Sequence, residues 1–323
     1  MGNFLRAALL VAAVLGAPPC AAQGAWPSKP IRFVVSFPPG GSSDLVARLL
    51  APRLGERLGQ PLLVENRPGA GGNIGVDLVA KAPADGYTLG LAAAGALTIN
   101  AHLYPSMPFD PQKDLAPVSM LAMIPIVIVA SPSLGAGSLR ELLALARARP
   151  GALSFGTTGA GSSMHLAGEA LNQAAEVSMV HVPYKGSGPA AADAASGQLP
   201  LAIVDLTSAL PYLRAGRLRA LAVTGAARSV AAPEIPTVAE SGFAGFDAVG
   251  WFGAVAPAGT PAPVIARLGA EIGEALRSRE LRERILAGGA EPEASTPEQL
   301  AERIRAESAR WAGLVRTAGL KLN

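Results

Sequence analysis

Residues 31–65 read IRFVVSFPPGGSSDLVARLLAPRLGERLGQPLLVE, and this stretch decides the fold. Ile31 to Phe37 is rich in β-branched and aromatic residues, Leu45, Val46, Leu49, Leu50, Leu54 and Leu58 recur at three- and four-residue steps, and Leu62 to Glu65 is a second short apolar run. Short β-rich runs form strands and period-3.6 apolar spacing lines one face of a helix, so the stretch reads as a βαβ unit with parallel strands.

The alternation continues downstream. Strands are expected near Thr88 to Ala92, Ile126 to Ala130, Leu153 to Thr157, His181 to Tyr184, Leu199 to Asp205 and Leu218 to Thr224. Helical spacing joins Leu139, Leu142, Leu143 and Ala146, then Val264, Leu268, Ile272 and Leu276, then Leu300, Ile304, Trp311 and Val315. The apolar stretch Val118 to Ala130 is interrupted by Pro125 and reads as a buried strand, not a membrane element. A chain of 323 residues exceeds the usual size of one core. Pro- and Gly-marked segments near 125 and 232 are expected to carry the chain between two α/β lobes, residues 23–125 plus 235–323 forming one and 126–234 the other.

Arg6, the apolar run Ala7 to Gly16 and the small residues Cys20 and Ala22 make residues 1–22 an export signal, with cleavage expected near Ala22. The run is far shorter than the roughly 20 residues that span a bilayer. Cys20 is the chain's one cysteine, which leaves the exported part without a disulfide, thiolate cluster or cysteine nucleophile. Lys and Arg number 27 against 24 Asp and Glu, with no basic block, so nucleic acid is not an expected partner despite a pI of about 9.2. His102, His165 and His181 are scattered, and neither a metal site nor a cofactor is expected.

Chemistry concentrates in two loops built alike: Phe37-Pro38-Pro39-Gly40-Gly41-Ser42-Ser43-Asp44 and Thr157-Thr158-Gly159-Ala160-Gly161-Ser162-Ser163-Met164-His165. In each, a strand ends in a glycine turn and small hydroxyl residues open the next helix. Glycine lets the backbone approach a ligand, and the unpaired N–H groups of a helix start bind anions. The helix field supplies about 0.3–1 kcal/mol and each charge-assisted hydrogen bond about 1.5–3, so a few donors reach about −8 kcal/mol without a cationic side chain. Ser42, Ser43 and Ser162 are also ordinary helix-capping residues. Asp44 is expected to cap its helix or accept a ligand amine. Asp205, ending the strand Leu201-Ala202-Ile203-Val204, lies at a C-terminal edge where ligands gather in open α/β sheets and is a candidate partner for a ligand amine or hydroxyl, while Lys185 reads either as a carboxylate partner or as a solvated loop charge, the second being the more ordinary. Trp251 and Phe252 read as walls of a cleft or as core, core packing being the more ordinary role. The glycines of Arg67 to Gly75 do not fall on a nucleotide-binding spacing and mark a tight turn before a helix.

These pieces resemble the tripartite tricarboxylate transporter substrate-binding receptors, the Bug or TctC-type proteins. The resemblance runs through Val34-Val35-Ser36-Phe37-Pro38-Pro39-Gly40-Gly41 with Asp44 and Ala47-Arg48, Asn66-Arg67-Pro68-Gly69-Ala70-Gly71-Gly72-Asn73-Ile74-Gly75 and Ala84-Asp85-Gly86-Tyr87-Thr88-Leu89. It continues in Gly159-Ala160-Gly161-Ser162 with His165-Leu166, Pro183-Tyr184-Lys185-Gly186, Ala227-Arg228-Ser229, Ile235-Pro236-Thr237 and Ala256-Pro257-Ala258-Gly259-Thr260-Pro261.

The resemblance implies a type II periplasmic-binding-protein fold, two α/β lobes with a ligand cleft between them. It implies a monomeric periplasmic receptor for a small carboxylate (a di- or tricarboxylate, an amino acid or an aromatic acid) with membrane transporter subunits as transient partners. Carried over residue by residue, it nominates Phe37, Gly40, Gly41, Ser42, Asp44, Thr157, Gly159, Ser162, His165 and Asp205. Ala93 falls in Ala92-Ala93-Ala94-Gly95, where many relatives present a hydroxyl residue, and Val204 implies a roomier site. Two rival readings are a sensor subunit that docks on a signalling protein and a serine hydrolase using Ser162 and His165.

Overall fold

The computed structural model describes residues 26–317, so the expected signal peptide at 1–22 lies outside the described residues. The chain begins with β1 (Ile31–Val35), α1 (Ser42–Leu58), β2 (Leu62–Asn66), a 3-10 turn (Ala70–Gly72), α2 (Asn73–Ala80) and β3 (Thr88–Ala93). A π-helical turn (Gly95–Ile99), α3 (Asn100–Leu103) and β4 (Leu115–Ile124) follow. Past Pro125 come β5 (Ile126–Ala130), α4 (Leu139–Ala148), β6 (Ser154–Thr157), α5 (Ser163–Ala174), β7 (Val180–Pro183), α6 (Ser187–Ser196), β8 (Leu201–Asp205), α7 (Leu206–Arg214) and β9 (Arg219–Val223). The chain closes with β10 (Gly250–Pro257), α8 (Ala262–Arg277), α9 (Arg279–Ala287), β11 (Glu291–Pro292) and α10 (Pro297–Thr317).

Two sheets result, ordered β11-β4-β10-β3-β1-β2 and β7-β6-β8-β5-β9, which is the two-lobed α/β fold the sequence implies. Each sheet holds a trio of parallel strands: β2, β1 and β3 in the first, β7, β6 and β8 in the second. Within each trio the central strand, β1 or β6, comes first in the chain and is flanked on both sides by later ones, so the connections diverge and leave a crevice at its carboxyl end. The residues of β1 are buried on both faces at Phe33, Val34 and Val35, as a parallel strand covered by helices requires. Among the described residues no helix is long and apolar enough to cross a membrane.

Three local expectations change. The run Val118 to Ala130 is not one strand: Pro125 divides it, with β4 in the first sheet and β5 in the second. Proline has no N–H for a ladder, and the Pro125 carbonyl instead accepts the N–H of Leu206 at 2.9 Å. The sheets are mixed, because β10 runs antiparallel to β3 and β4, and β5 antiparallel to β8 and β9. β10 carries two glycines and a proline that weaken its strand signal, yet all eight residues are buried. Residues 224–249, expected to contain the return between lobes near 232, hydrogen-bond to the end of β9: Val223 donates to Pro236, Val238 to Val223 and Ala248 to Thr224.

Helix α5 lies against β6 and β8 through Gly168, where an added Cβ would stand 2.3 Å from Phe155 Cε2 and 3.1 Å from Ile203 Cδ1. Gly168→Val should therefore overpack the second lobe and lower unfolding free energy by about 1–3 kcal/mol, read from urea denaturation at matched m-value. An unchanged midpoint would show that Phe155 yields without strain.

Candidate functional site

A cavity of ≈ 120 Å³ lies between the two sheets, and all six parallel strands supply its wall from their carboxyl ends. After β1 come Phe37 to Ser43, after β2 Gly71, and at the end of β3 Ala93 and Gly95. After β6 come Thr158 and Ser162 to Met164, after β7 Gly186 to Pro189, and at the end of β8 Asp205. Ile124 and Gly250 to Phe252, where β4 ends and β10 begins, complete the lining. Neither lysine nor arginine is among these residues.

The first loop departs from a simple cap. Gly41 stands at the N-cap of α1 with no side-chain cap, so the N–H groups of Ser42 and Ser43 have no protein acceptor. Ser42 and Ser43 are therefore not caps. Their hydroxyls make no protein hydrogen bond and line the cavity. Asp44 does not reach the cavity; Gly40 donates its N–H to Oδ2 at 3.1 Å, Arg48 Nε donates to both oxygens at 2.9 and 3.0 Å, and Asn66 Nδ2 donates to Oδ1 at 3.0 Å. Burial opposes the Asp44 charge, but these hydrogen bonds and the Arg48 charge outweigh it and hold the carboxyl below its ordinary range. Asp44 thus fixes the glycine turn from behind.

The second loop is capped differently. Ser162 Oγ donates to the Gly159 carbonyl at 2.7 Å and accepts the His165 N–H at 3.2 Å, leaving the N–H groups of Ser163 and Met164 without protein acceptors. Thr157, Gly159 and His165 lie behind the cavity wall rather than on it. Thr157 Oγ1 pairs with His181 Nε2 at 2.7 Å, the His165 and His181 rings stack at 3.9 Å, and His165 Nδ1 accepts the Gly161 N–H at 3.3 Å. The Ser162 hydroxyl and the His165 ring are not hydrogen-bonded to each other, so the pair that a serine hydrolase needs is not assembled.

A third helix start went unrecognised in the sequence. Gly186 is the N-cap of α6, again without a side-chain cap, and the Ser187 and Gly188 N–H groups have no protein acceptor. Its signal was Gly186-Ser187-Gly188-Pro189 directly after a strand, the same device as in the other two loops. Lys185 beside it is exposed and faces a neighbouring cleft instead. Asp205 is 2 % exposed and uses Oδ1 to cap α7 through the Ser208 N–H at 2.9 Å. Trp251 and Phe252 prove to be both core and wall.

Burial pushes the His165 imidazole down to about 4, and burial with the adjacent His165 pushes His181 down to about 3. An unfolded histidine titrates near about 6.5, so between that pH and these values the unfolded chain binds more protons than the native one. The stability due to the neutral pair is therefore full above about pH 6.5 and is lost as pH falls through about 4 and then about 3. In urea titrations the fall in midpoint from pH 6.5 to pH 4 should shrink in the His165→Gln, His181→Phe double variant. An equal fall in both proteins would assign the loss to carboxylates alone.

The model described as the tripartite tricarboxylate transporter family receptor matches residues 46–320. Protein BugT of Bordetella pertussis is 44% identical over 298 residues, covering 92% of this chain and 91% of that protein. An R. palustris protein solved with adipate is 38% identical with a TM-score of 0.88, covering 92% of this chain and 99% of that one. MatC from Rhodopseudomonas palustris with bound malate is 32% identical with a TM-score of 0.83, covering 90% and 100%. Agreement this close over nine-tenths of the sequence, on a cavity built from the same loops that carried the resemblance, means that the chain belongs to the tripartite tricarboxylate transporter receptor family.

Proposed function

We propose that the protein is a periplasmic solute-binding receptor, exported by its N-terminal signal, that captures a small carboxylate and delivers it as a monomer to a tripartite tricarboxylate-type membrane transporter. It performs no chemistry on the ligand; closure of the lobes is its output. The observation that carries this reading is the convergence on a cavity without a cationic side chain of three helix starts that keep free N–H groups, two of them, α1 and α6, with no side-chain cap and the third, α5, capped by Ser162 at the His165 N–H alone. Six backbone N–H groups, those of Ser42, Ser43, Ser163, Met164, Ser187 and Gly188, are left to meet a carboxylate. Phe37, Ile124, Met164 and Phe252 offer apolar contact for a carbon skeleton. The similar proteins solved with adipate and malate favour a dicarboxylate. Passage of the chain between lobes at Pro125 and within residues 224–249 supplies two connections about which the lobes turn.

A thermal-shift screen of the refolded protein against mono-, di- and tricarboxylates, amino acids and aromatic acids tests the reading. A ligand at 100 times its Kd stabilises the native state by about 2.7 kcal/mol, a readily measured shift. Stabilisation by neutral compounds only, with no carboxylate active, would overturn the anion reading. Asp44→Ala frees the Gly40 N–H and Arg48 and loosens the first loop, so the affinity for the carboxylate found should fall about tenfold, about 1.4 kcal/mol. Unaltered affinity by calorimetry would remove Asp44 from loop positioning.

A further inference from the structure

Beside the cavity the two lobes touch through bare backbone. Gly95 opens the π-helical turn after β3, and the three atoms nearest a Cβ built there all belong to the other lobe: Gly161 O at 2.9 Å, Ser162 Cα at 3.6 Å and the Gly161 carbonyl carbon at 3.8 Å. Contact is equally close along the seam. A Cβ at Gly71 would stand 3.0 Å from Ala160 O, and one at Gly161 would stand 2.5 Å from Asn100 Oδ1. Tyr104 Oη donates across the seam to Ala160 O at 3.4 Å.

Asn100 lies on this seam. It is 0% exposed and donates Nδ2 to Asn73 Oδ1 at 2.6 Å, while its Oδ1 is buried without a hydrogen-bond partner. That oxygen is also the atom nearest a Cβ built at Gly161, so the seam is packed tightly on both sides. A Cβ at Gly95, 2.9 Å from a backbone oxygen, would force the two loops apart.

We propose that Gly95 is a positioning residue that sets how far the lobes close. Its missing side chain lets the turn after β3 rest on the Gly161 carbonyl, which brings the first turns of α1 and α5 to one ligand. The effect on affinity rests on the carboxylate-receptor reading; the effect on closure does not. Gly95 lacks a left-handed backbone, so alanine is compatible with its conformation, and the three atoms nearest the added methyl group all belong to the opposite lobe. Glycines with positive φ at 71 and 161 allow no such clean test.

The experiment uses protein lacking residues 1–22 and hence Cys20, with nitroxide labels on cysteines replacing Ile74 and Val180, which are 54% and 49% exposed on opposite lobes. Pulsed dipolar spectroscopy reads the interlobe distance without ligand and with malate or adipate. Wild type should show a short-distance population that grows with the ligand. Gly95→Ala should lose it in both conditions, bind at least tenfold more weakly through faster dissociation, and keep its ligand-free melting temperature within about 2 °C. Tyr104→Phe should shift both readouts less, in the same direction. Equal distances and an affinity within twofold in Gly95→Ala would overturn the proposal, as would a wild type with no short-distance population. Failure of wild type to bind malate or adipate would count against the proposed ligand class, while the ligand-free distances still judge the seam.

Discussion

Among the described residues no lysine or arginine lines the cavity, so a negative charge held there meets backbone N–H groups and hydroxyls. That constraint dictates the loops. Donors of this kind must be free of protein acceptors, which explains why α1 and α6 start on glycine with no side-chain cap. They must also approach the ligand closely, which excludes Cβ atoms from much of the wall. Asp44 falls in the first turn of α1, where its charge would otherwise repel an anion. Its hydrogen bonds to Arg48, Asn66 and the Gly40 N–H draw the carboxylate behind the loop and turn a liability into the support of the glycine turn.

The βαβ period in residues 31–65 was legible because parallel strands are buried on both faces and helices on one, so hydrophobic spacing alone separates them. β10 was not, because a strand at the middle of a sheet, packed tightly on both sides, admits Gly250, Gly253 and Pro257 where propensity forbids them. The site divides in the same way. Phe37, Gly40, Gly41, Ser42, Ala93, Ser162 and Asp205 were nominated and line the cavity, since strand ends and glycine turns leave a trace in sequence. Asp44, Thr157, Gly159 and His165 were nominated beside them but stand one layer back, and no sequence pattern distinguishes the inner side of a loop from its outer side.

The second layer has its own logic. His165 and His181 are buried and neutral, so His165 Nδ1 keeps a lone pair for the Gly161 N–H. A protonated imidazole here would turn that acceptor into a donor and release the glycine loop. The stacked pair, backed by Thr157, therefore gives the second loop what Asp44 gives the first: a fixed acceptor behind a flexible backbone. Two chemically unrelated devices solve one problem, which is how to hold glycine still.

The start of α7 completes the argument. There the protein's own carboxylate, Asp205, occupies the helix end, accepting the Ser208 N–H through Oδ1 while Ser187 Oγ lies 3.4 Å from the Asp205 N–H. A carboxylate at a helix start is favoured by the local field and by free donors, whether it belongs to a side chain or to a ligand. Among the described residues four helix starts border the cavity; that of α7 is already filled by its N-cap Asp205, and α1, α5 and α6 keep donors open. The charge on Asp205 also sets a direction: it disfavours an anionic group beside it and favours a hydroxyl or an amine. On the proposed receptor reading, a ligand carboxylate therefore meets the open starts of α1, α5 and α6, and a hydrogen-bond donor on the same ligand faces Asp205.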